Sequence, residues 1–190
     1  FIEKPISDKS DGVAELIAKC EDAGLICQVG YNLRYLPSLM RFRDLIHSGL
    51  IGKPLFVKSE AGQYLPNWRP STDYRASVSA KQELGGGVLL ELSHEFDYLA
   101  WIFGRVLWAS GWVGKSSTLD IDVEDTALVT LGFEQIAGEG SLTAQVNLDF
   151  VRHDATRTVT ALCEKGSLRW DGVAGQVLER TPGSPKWSIV

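Results

Sequence analysis

No stretch of this chain approaches the roughly twenty consecutive apolar residues that a membrane-spanning helix needs. None shows the charged, apolar and small-residue succession of a secretory signal either. Basic runs are also missing, and the net charge is −5, which argues against a nucleic-acid surface. Cysteine is scarce: Cys20, Cys27 and Cys163 are odd in number, widely spaced and set among apolar residues. They read as reduced core thiols of a cytoplasmic protein, with neither metal spacing nor a disulfide framework. Internal repeats and low-complexity tracts are absent. An initiating methionine is absent as well: the chain begins Phe-Ile-Glu-Lys-Pro, like the end of a buried strand, and stops on the extended run Trp187 to Val190. Both ends read as cut, so the chain is expected to be part of a longer protein. What remains, 44% hydrophobic and 23% charged, is the composition of a soluble globular domain.

The most informative stretch runs from Leu84 to Gly104, where three glycines lead into a segment free of glycine and proline that Gly104 closes. A helix is expected over about 88–103. At about 100° per residue, Leu89, Leu92, Phe96, Leu99 and Phe103 form an apolar stripe, and Glu91, His94, Asp97, Tyr98 and Trp101 gather opposite. A lone helical histidine is commonly structural. Glu91 and His94 also copy the Glu-x-x-His element of di-metal bundles, but the chain offers no second such element, so no metal site is expected.

Ahead of this stretch, residues 8–23 read as an amphipathic helix carrying Val13, Leu16, Ile17 and Cys20, capped by Ser7 or Ser10 and ended by Gly24. Leu25 to Gly30 reads as a short strand, making a βαβ unit and hence a parallel sheet. Pro37 opens a helix that buries Leu39, Met40, Phe42, Leu45 and Ile46 and closes at Gly49. After residue 52 the texture changes. Pro54 to Leu65 alternates as a strand, and residues 66–83 form a polar loop long enough to suggest function. Strands are expected near 106–112, 126–133, 141–150, 157–163, 167–170 and 176–180, separated by turns such as Ala137-Gly138-Glu139-Gly140. The expected architecture is therefore α/β over 1–52, as the tail of a Rossmann-like domain. Over 53–190 it is α+β: an open, mainly antiparallel sheet with a helix on one face. Trp108 and Trp112 fall on one face of a strand whose other side is already covered, a pattern that suits pairing with another subunit.

Glu3-Lys4-Pro5 lies at the carboxyl end of the first presumed strand, where parallel sheets bind ligands, and Pro5 holds Lys4 extended. With Asn32, Arg34, Tyr35 and Pro37, the turn from Gly49 to Pro54, Trp68-Arg69, the Gly-Gly-Gly helix and Gly166 to Asp171, this ordered set resembles the Gfo/Idh/MocA family of NAD(P)-dependent oxidoreductases. The resemblance covers essentially the whole chain. It implies a two-domain enzyme that binds NAD or NADP and a carbohydrate substrate and assembles as a homodimer or homotetramer. The Gly-x-Gly-x-x-Gly phosphate loop of such enzymes does not occur here.

On this resemblance the chemistry is hydride transfer between NAD(P) and a hydroxyl carbon of a sugar, sugar acid or nucleotide-sugar, which needs a group to take the hydroxyl proton. Lys4 is expected to polarise the substrate oxygen, His94 to act as general acid and base, and Glu91 to assist or bind a sugar hydroxyl. The chain departs from the family in carrying its acid three residues before the histidine rather than four. Glu3, Lys4, Trp68 and Arg69 are expected at the cofactor. Arg34, Tyr35, Asp73, Tyr74 and Arg75 are expected at the substrate, where Arg75 favours an acidic ligand. The competing reading is a relative kept for ligand binding or dimerisation without catalysis.

Overall fold

The computed structural model describes residues 1–134 and 141–190, so the turn read at 137–140 lies outside the described residues. Eight strands form one open sheet: β1 (Pro54–Gly62), β2 (Val106–Gly114), β3 (Thr126–Phe133), β4 (Leu142–Asp149), β5 (Thr156–Cys163), β6 (Gly166–Asp171), β7 (Gln176–Arg180) and β8 (Ser188–Ile189). Their order across the sheet is β2-β3-β4-β1-β5-β6-β7-β8. Every pairing is antiparallel except β1 with β4. β1 is placed centrally because the chain leaves it through the long loop and the helices before returning as the edge strand β2.

Alternation along the strands separates the two faces. Val57, Ser59 and Ala61 of β1, Ala144, Val146 and Leu148 of β4, Val159 and Ala161 of β5, and Leu168 and Trp170 of β6 are all buried. Onto this face pack helices α2 (Pro37–His47), α3 (Val88–Glu91) and α4 (His94–Phe103). The opposite face is open, and there Trp108, Trp112 and Leu128 are 45%, 49% and 47% exposed. Trp108 lies flat across β3 because its partner in the ladder is Gly132, where a Cβ would come within 2.1 Å of the indole nitrogen.

Several sequence expectations need correction. The strand at 25–30 is reduced to one parallel bridge, Ile2 with Val29, and Leu25 and Ile26 are exposed. No other strand of the chain pairs with this segment among the described residues, so no ladder holds it. Cys27, in the same segment, is exposed, and Cys20 is half-buried; of the three free thiols only Cys163 is buried. Helix α1 (Val13–Asp22) begins at Gly12 with no side-chain cap, so neither Ser7 nor Ser10 serves it, and its apolar stripe has no buried member. In α2, Leu39, Phe42 and Ile46 are buried as expected, but Met40 is 44% exposed, one residue off the packed face.

Trp170 shows how the layers are tied. Its ring is fully buried, its indole N–H donates to Ser38 Oγ of α2 at 3.0 Å, and it stands edge-on to Tyr98 of α4 at 5.4 Å. The Tyr98 hydroxyl in turn meets Ser59 Oγ of β1 at 3.2 Å, so the phenol's polar end is satisfied beneath the helix.

Candidate functional site

The helix expected over 88–103 is two helices, broken at Leu92 and Ser93, where Leu92 takes φ −99° and ψ 31°. The break has a chemical consequence. In a continuous helix the Glu95 N–H would donate to the carbonyl of Glu91. Here it donates to Leu92 O at 3.3 Å instead, which leaves the Glu91 carbonyl available. Lys4 takes it: Nζ donates to Glu91 O at 2.7 Å and lies 3.8 Å from Glu91 Oε2. A helix C-terminus attracts a cation, so the break and the lysine support each other. Upstream, α3 is pinned by Glu124, whose backbone carbonyl accepts from Val88 N–H and whose carboxylate accepts from Leu89 N–H, both at 3.1 Å. Gly87 precedes it with φ 110°, and a Cβ there would strike the Glu124 carboxylate at 2.4 Å.

The break also turns α4 relative to the wheel drawn from the sequence. Glu95 and Tyr98 are fully buried, whereas Leu89 and Phe96 are only half-buried, so the stripe facing the core is Leu92, Glu95, Tyr98, Leu99 and Ile102. Tyr98 therefore belongs to the core rather than to the polar side. His94 remains at the rim, edge-on to Tyr31 with ring centroids 5.6 Å apart. Burial lowers its pKa from 6.5 to about 4; the charges of Arg157 and Lys4 add to this, and Asp97 opposes it. Its Nδ1 is buried without a hydrogen-bond partner among the described residues, the condition of an atom awaiting water or ligand.

Lys4, Glu91 and His94 line one cleft of about 290 Å³ with Gly62, Trp68 and Arg157. Residues ninety apart in sequence thus meet between the Ile2–Val29 bridge, the helix break and the start of β5. Trp68 is fixed there by its indole N–H, which donates to Gln63 O at 3.0 Å, and by edge-on packing against Phe150. Other expected site residues are elsewhere or engaged. Arg34 donates to Asp97 through Nε at 2.8 Å and Nη2 at 2.5 Å, which raises its pKa and ties the 31–35 turn to α4. Glu3, Tyr35 and Arg69 are exposed. Asp73 and Arg75 are an exposed pair, closed on each other at 2.7 Å, and the Tyr74 hydroxyl accepts from Asp120 N–H. These three do not line the cleft, because a carboxylate two residues away already occupies the guanidinium.

Sequence reasoning missed Tyr31, Glu95 and Arg157. Glu95 carried a usable signal: an acid one turn after Leu92 and one turn before Leu99 must be paired once buried. Its partner is Arg157, whose Nε donates to Oε1 at 2.8 Å. Among the described residues no group of three His, Cys, Asp or Glu side chains could hold a metal ion, and no helix is long and apolar enough to cross a membrane.

Comparison with known proteins adds to this geometry. The family model described as the GFO/IDH/MocA C-terminal domain matches residues 39–169. The uncharacterized oxidoreductase YrbE of Bacillus subtilis (strain 168) is 30% identical over 139 residues, covering 70% of this chain and 38% of that protein. The myo-inositol 2-dehydrogenase of Thermotoga maritima is 28% identical over 144 residues, covering 70% and 39%. An inositol dehydrogenase homolog from Azotobacter vinelandii, solved with NAD+, superposes with a TM-score of 0.81 at 16% identity, over 99% of this chain and 49% of that one. The WlbA dehydrogenase of Bordetella pertussis, solved with NADH and UDP-GlcNAcA, gives 0.77 at 21% identity, over 99% and 51%. The chain thus spans less than half the length of these curated relatives and about half that of the solved chains.

Proposed function

Because the chain belongs to the GFO/IDH/MocA family, we propose that it forms the substrate-binding part of an NAD(P)-dependent oxidoreductase. The reaction is hydride transfer between the dinucleotide and a hydroxyl carbon of a sugar, sugar acid or nucleotide-sugar. The observation that carries this reading is the meeting of Lys4 and His94 in one cleft. Relatives named D-xylose dehydrogenase and 1,5-anhydro-D-fructose reductase support the substrate class. In this reading residues 1–52 close a dinucleotide-binding domain and 53–190 form the substrate domain. Three free thiols suit a cytoplasmic setting.

The cleft's donor set fits the nicotinamide end of a dinucleotide: a cation at Lys4, an aromatic face at Trp68 and a buried nitrogen on His94 without a partner among the described residues. Lys4 and Trp68 would border it, with Glu3 and Arg69 at the exposed margin. Bound there, the nicotinamide supplies the hydride acceptor or donor. Lys4, oriented by the Glu91 carbonyl, holds and polarises the substrate oxygen. His94, kept neutral by burial and its cationic neighbours, takes the hydroxyl proton in oxidation and returns it in reduction. The test is the appearance of NAD(P)H absorbance when the full-length protein is given a panel of sugars, polyols and sugar acids. Turnover of at least one is expected. Tight ligand binding with no turnover across the panel would instead favour a non-catalytic relative.

We also propose that the open sheet face bearing Trp108, Trp112 and Leu128 pairs with a second copy. An apolar face half exposed in one chain is the kind of surface that self-association covers. Light scattering of the full-length protein at micromolar concentration is expected to give a dimer or tetramer, and a monomer would count against this surface.

A further inference from the structure

We propose that the substrate carries a carboxylate that seats on the open edge of the Arg157 guanidinium, and that Glu95 is the positioning residue that sets that edge toward the cleft. This rests on the oxidoreductase reading for the word substrate, although the binding site itself stands on its own geometry.

Glu95 is fully buried on the core side of α4, among Leu92, Tyr98 and Leu99. Burying a carboxylate is costly, and a well-packed apolar pair would serve stability at least as well. Among the described residues its one side-chain bond is from Arg157 Nε at 2.8 Å, and Oε2 has no partner. The pair therefore fixes one edge of the guanidinium. Among the described residues, neither Nη atom of Arg157 makes a hydrogen bond, and the side chain is 29% exposed where it borders the cleft. Two parallel N–H groups on a planar cation are the complement of a carboxylate, which accepts them in a two-pronged pair.

The rest of the cleft agrees. Its lining carries two cations, Lys4 and Arg157, against the single carboxylate of Glu91, and Glu95 lies beneath rather than in it. Lys4 has Glu91 beside it and a single-point ammonium, so Arg157 is the cation with a free two-pronged edge to offer. Arg157 enters from β5 on the sheet side, whereas Lys4 enters from the Ile2–Val29 bridge. A substrate gripped at its carboxylate by Arg157 would present a neighbouring hydroxyl to Lys4 and His94. The preference for an acidic ligand expected from Arg75 thus passes to Arg157.

The experiment compares matched ligands by calorimetry on the full-length protein: L-tartrate against L-threitol and D-glucuronate against D-glucose. The carboxylate member of at least one pair is expected to bind about 10–100-fold more tightly, the scale of hydrogen bonds to a charged group. Arg157→Gln is expected to remove that preference, Arg157→Lys to keep part of it, and Glu95→Gln to weaken it. Should Arg157→Gln fail to fold around an unpaired Glu95, the double variant Glu95→Gln/Arg157→Gln removes both charges and is expected to lose the preference likewise. Wild-type protein that binds no carboxylate at millimolar concentration, or equally tight binding within both pairs, would overturn the inference. So would a preference that survives the loss of Arg157. Arg157-dependent carboxylate binding without any NAD(P)H formation would overturn the oxidoreductase reading alone. Turnover of neutral sugars with no carboxylate preference would overturn this inference alone.

Discussion

Replacing Lys4 or His94 with alanine is expected to cut the proposed turnover of the full-length protein by about 10²–10⁴-fold, with cofactor affinity much less affected. Both side chains line the cleft. Lys4 is held by a carbonyl that exists as an acceptor only because the helix breaks after Glu91. His94 keeps a buried nitrogen with no partner among the described residues. The pH dependence separates its role from simple packing. Arg157 and Lys4 face His94 as cations and Asp97 as a carboxylate, Tyr31 packs edge-on against the ring, and Glu91 shares the cleft. Burial and the two cations prevail, so the imidazole is neutral above about pH 4. In the oxidative direction, kcat/KM is expected to stay level from neutral pH down to about 5 and to fall as pH drops through about 4. An acid limb near the ordinary value of 6.5 would show a histidine that is neither buried nor faced by those charges. Near-normal turnover in both alanine variants would remove the assignment altogether.

Trp170→Ala is expected to cost about 3–5 kcal/mol of stability, the usual range for deleting a fully buried large aromatic. Its ring touches Tyr98, its nitrogen holds Ser38, and the cavity left behind would lie where α2, α4 and the sheet converge. Urea unfolding of the chain would read this as a lower midpoint with little change in slope. A loss below about 1 kcal/mol would mean that the helices are held to the sheet by other contacts.

Period-two alternation made the strands legible, because β1, β4, β5 and β6 present one buried face to the helices, whereas β2, expected to have one side covered, is exposed on both from Leu107 to Val113. The sheet's positions followed, though the parallel pairing of β1 with β4 did not, since pairing partners leave no local mark. The stretch at 25–30 looked like a strand by its apolar run, but a run does not supply a neighbour, and only Val29 has one. Lys4 and His94, which line one cleft, were legible as candidates because each stands in a distinctive local pattern. A helical wheel that assumed unbroken geometry misassigned Tyr98 to the polar side, because the turn at Leu92 and Ser93 rotates everything after it. Arg157 could not be found by spacing, since nothing local distinguishes an arginine that opens a strand from one on the surface. Its reason is Glu95, sixty-two residues away. Arg75 misled for the opposite reason: its neighbour Asp73 closes the guanidinium before a ligand can.

The most direct measurement is a crystal structure of the full-length protein with NAD(P) and a substrate found in the turnover panel. The expected result is one substrate oxygen within about 2.6–3.2 Å of both Lys4 Nζ and an imidazole nitrogen of His94. A substrate bound elsewhere, touching neither Lys4 nor His94, would contradict it.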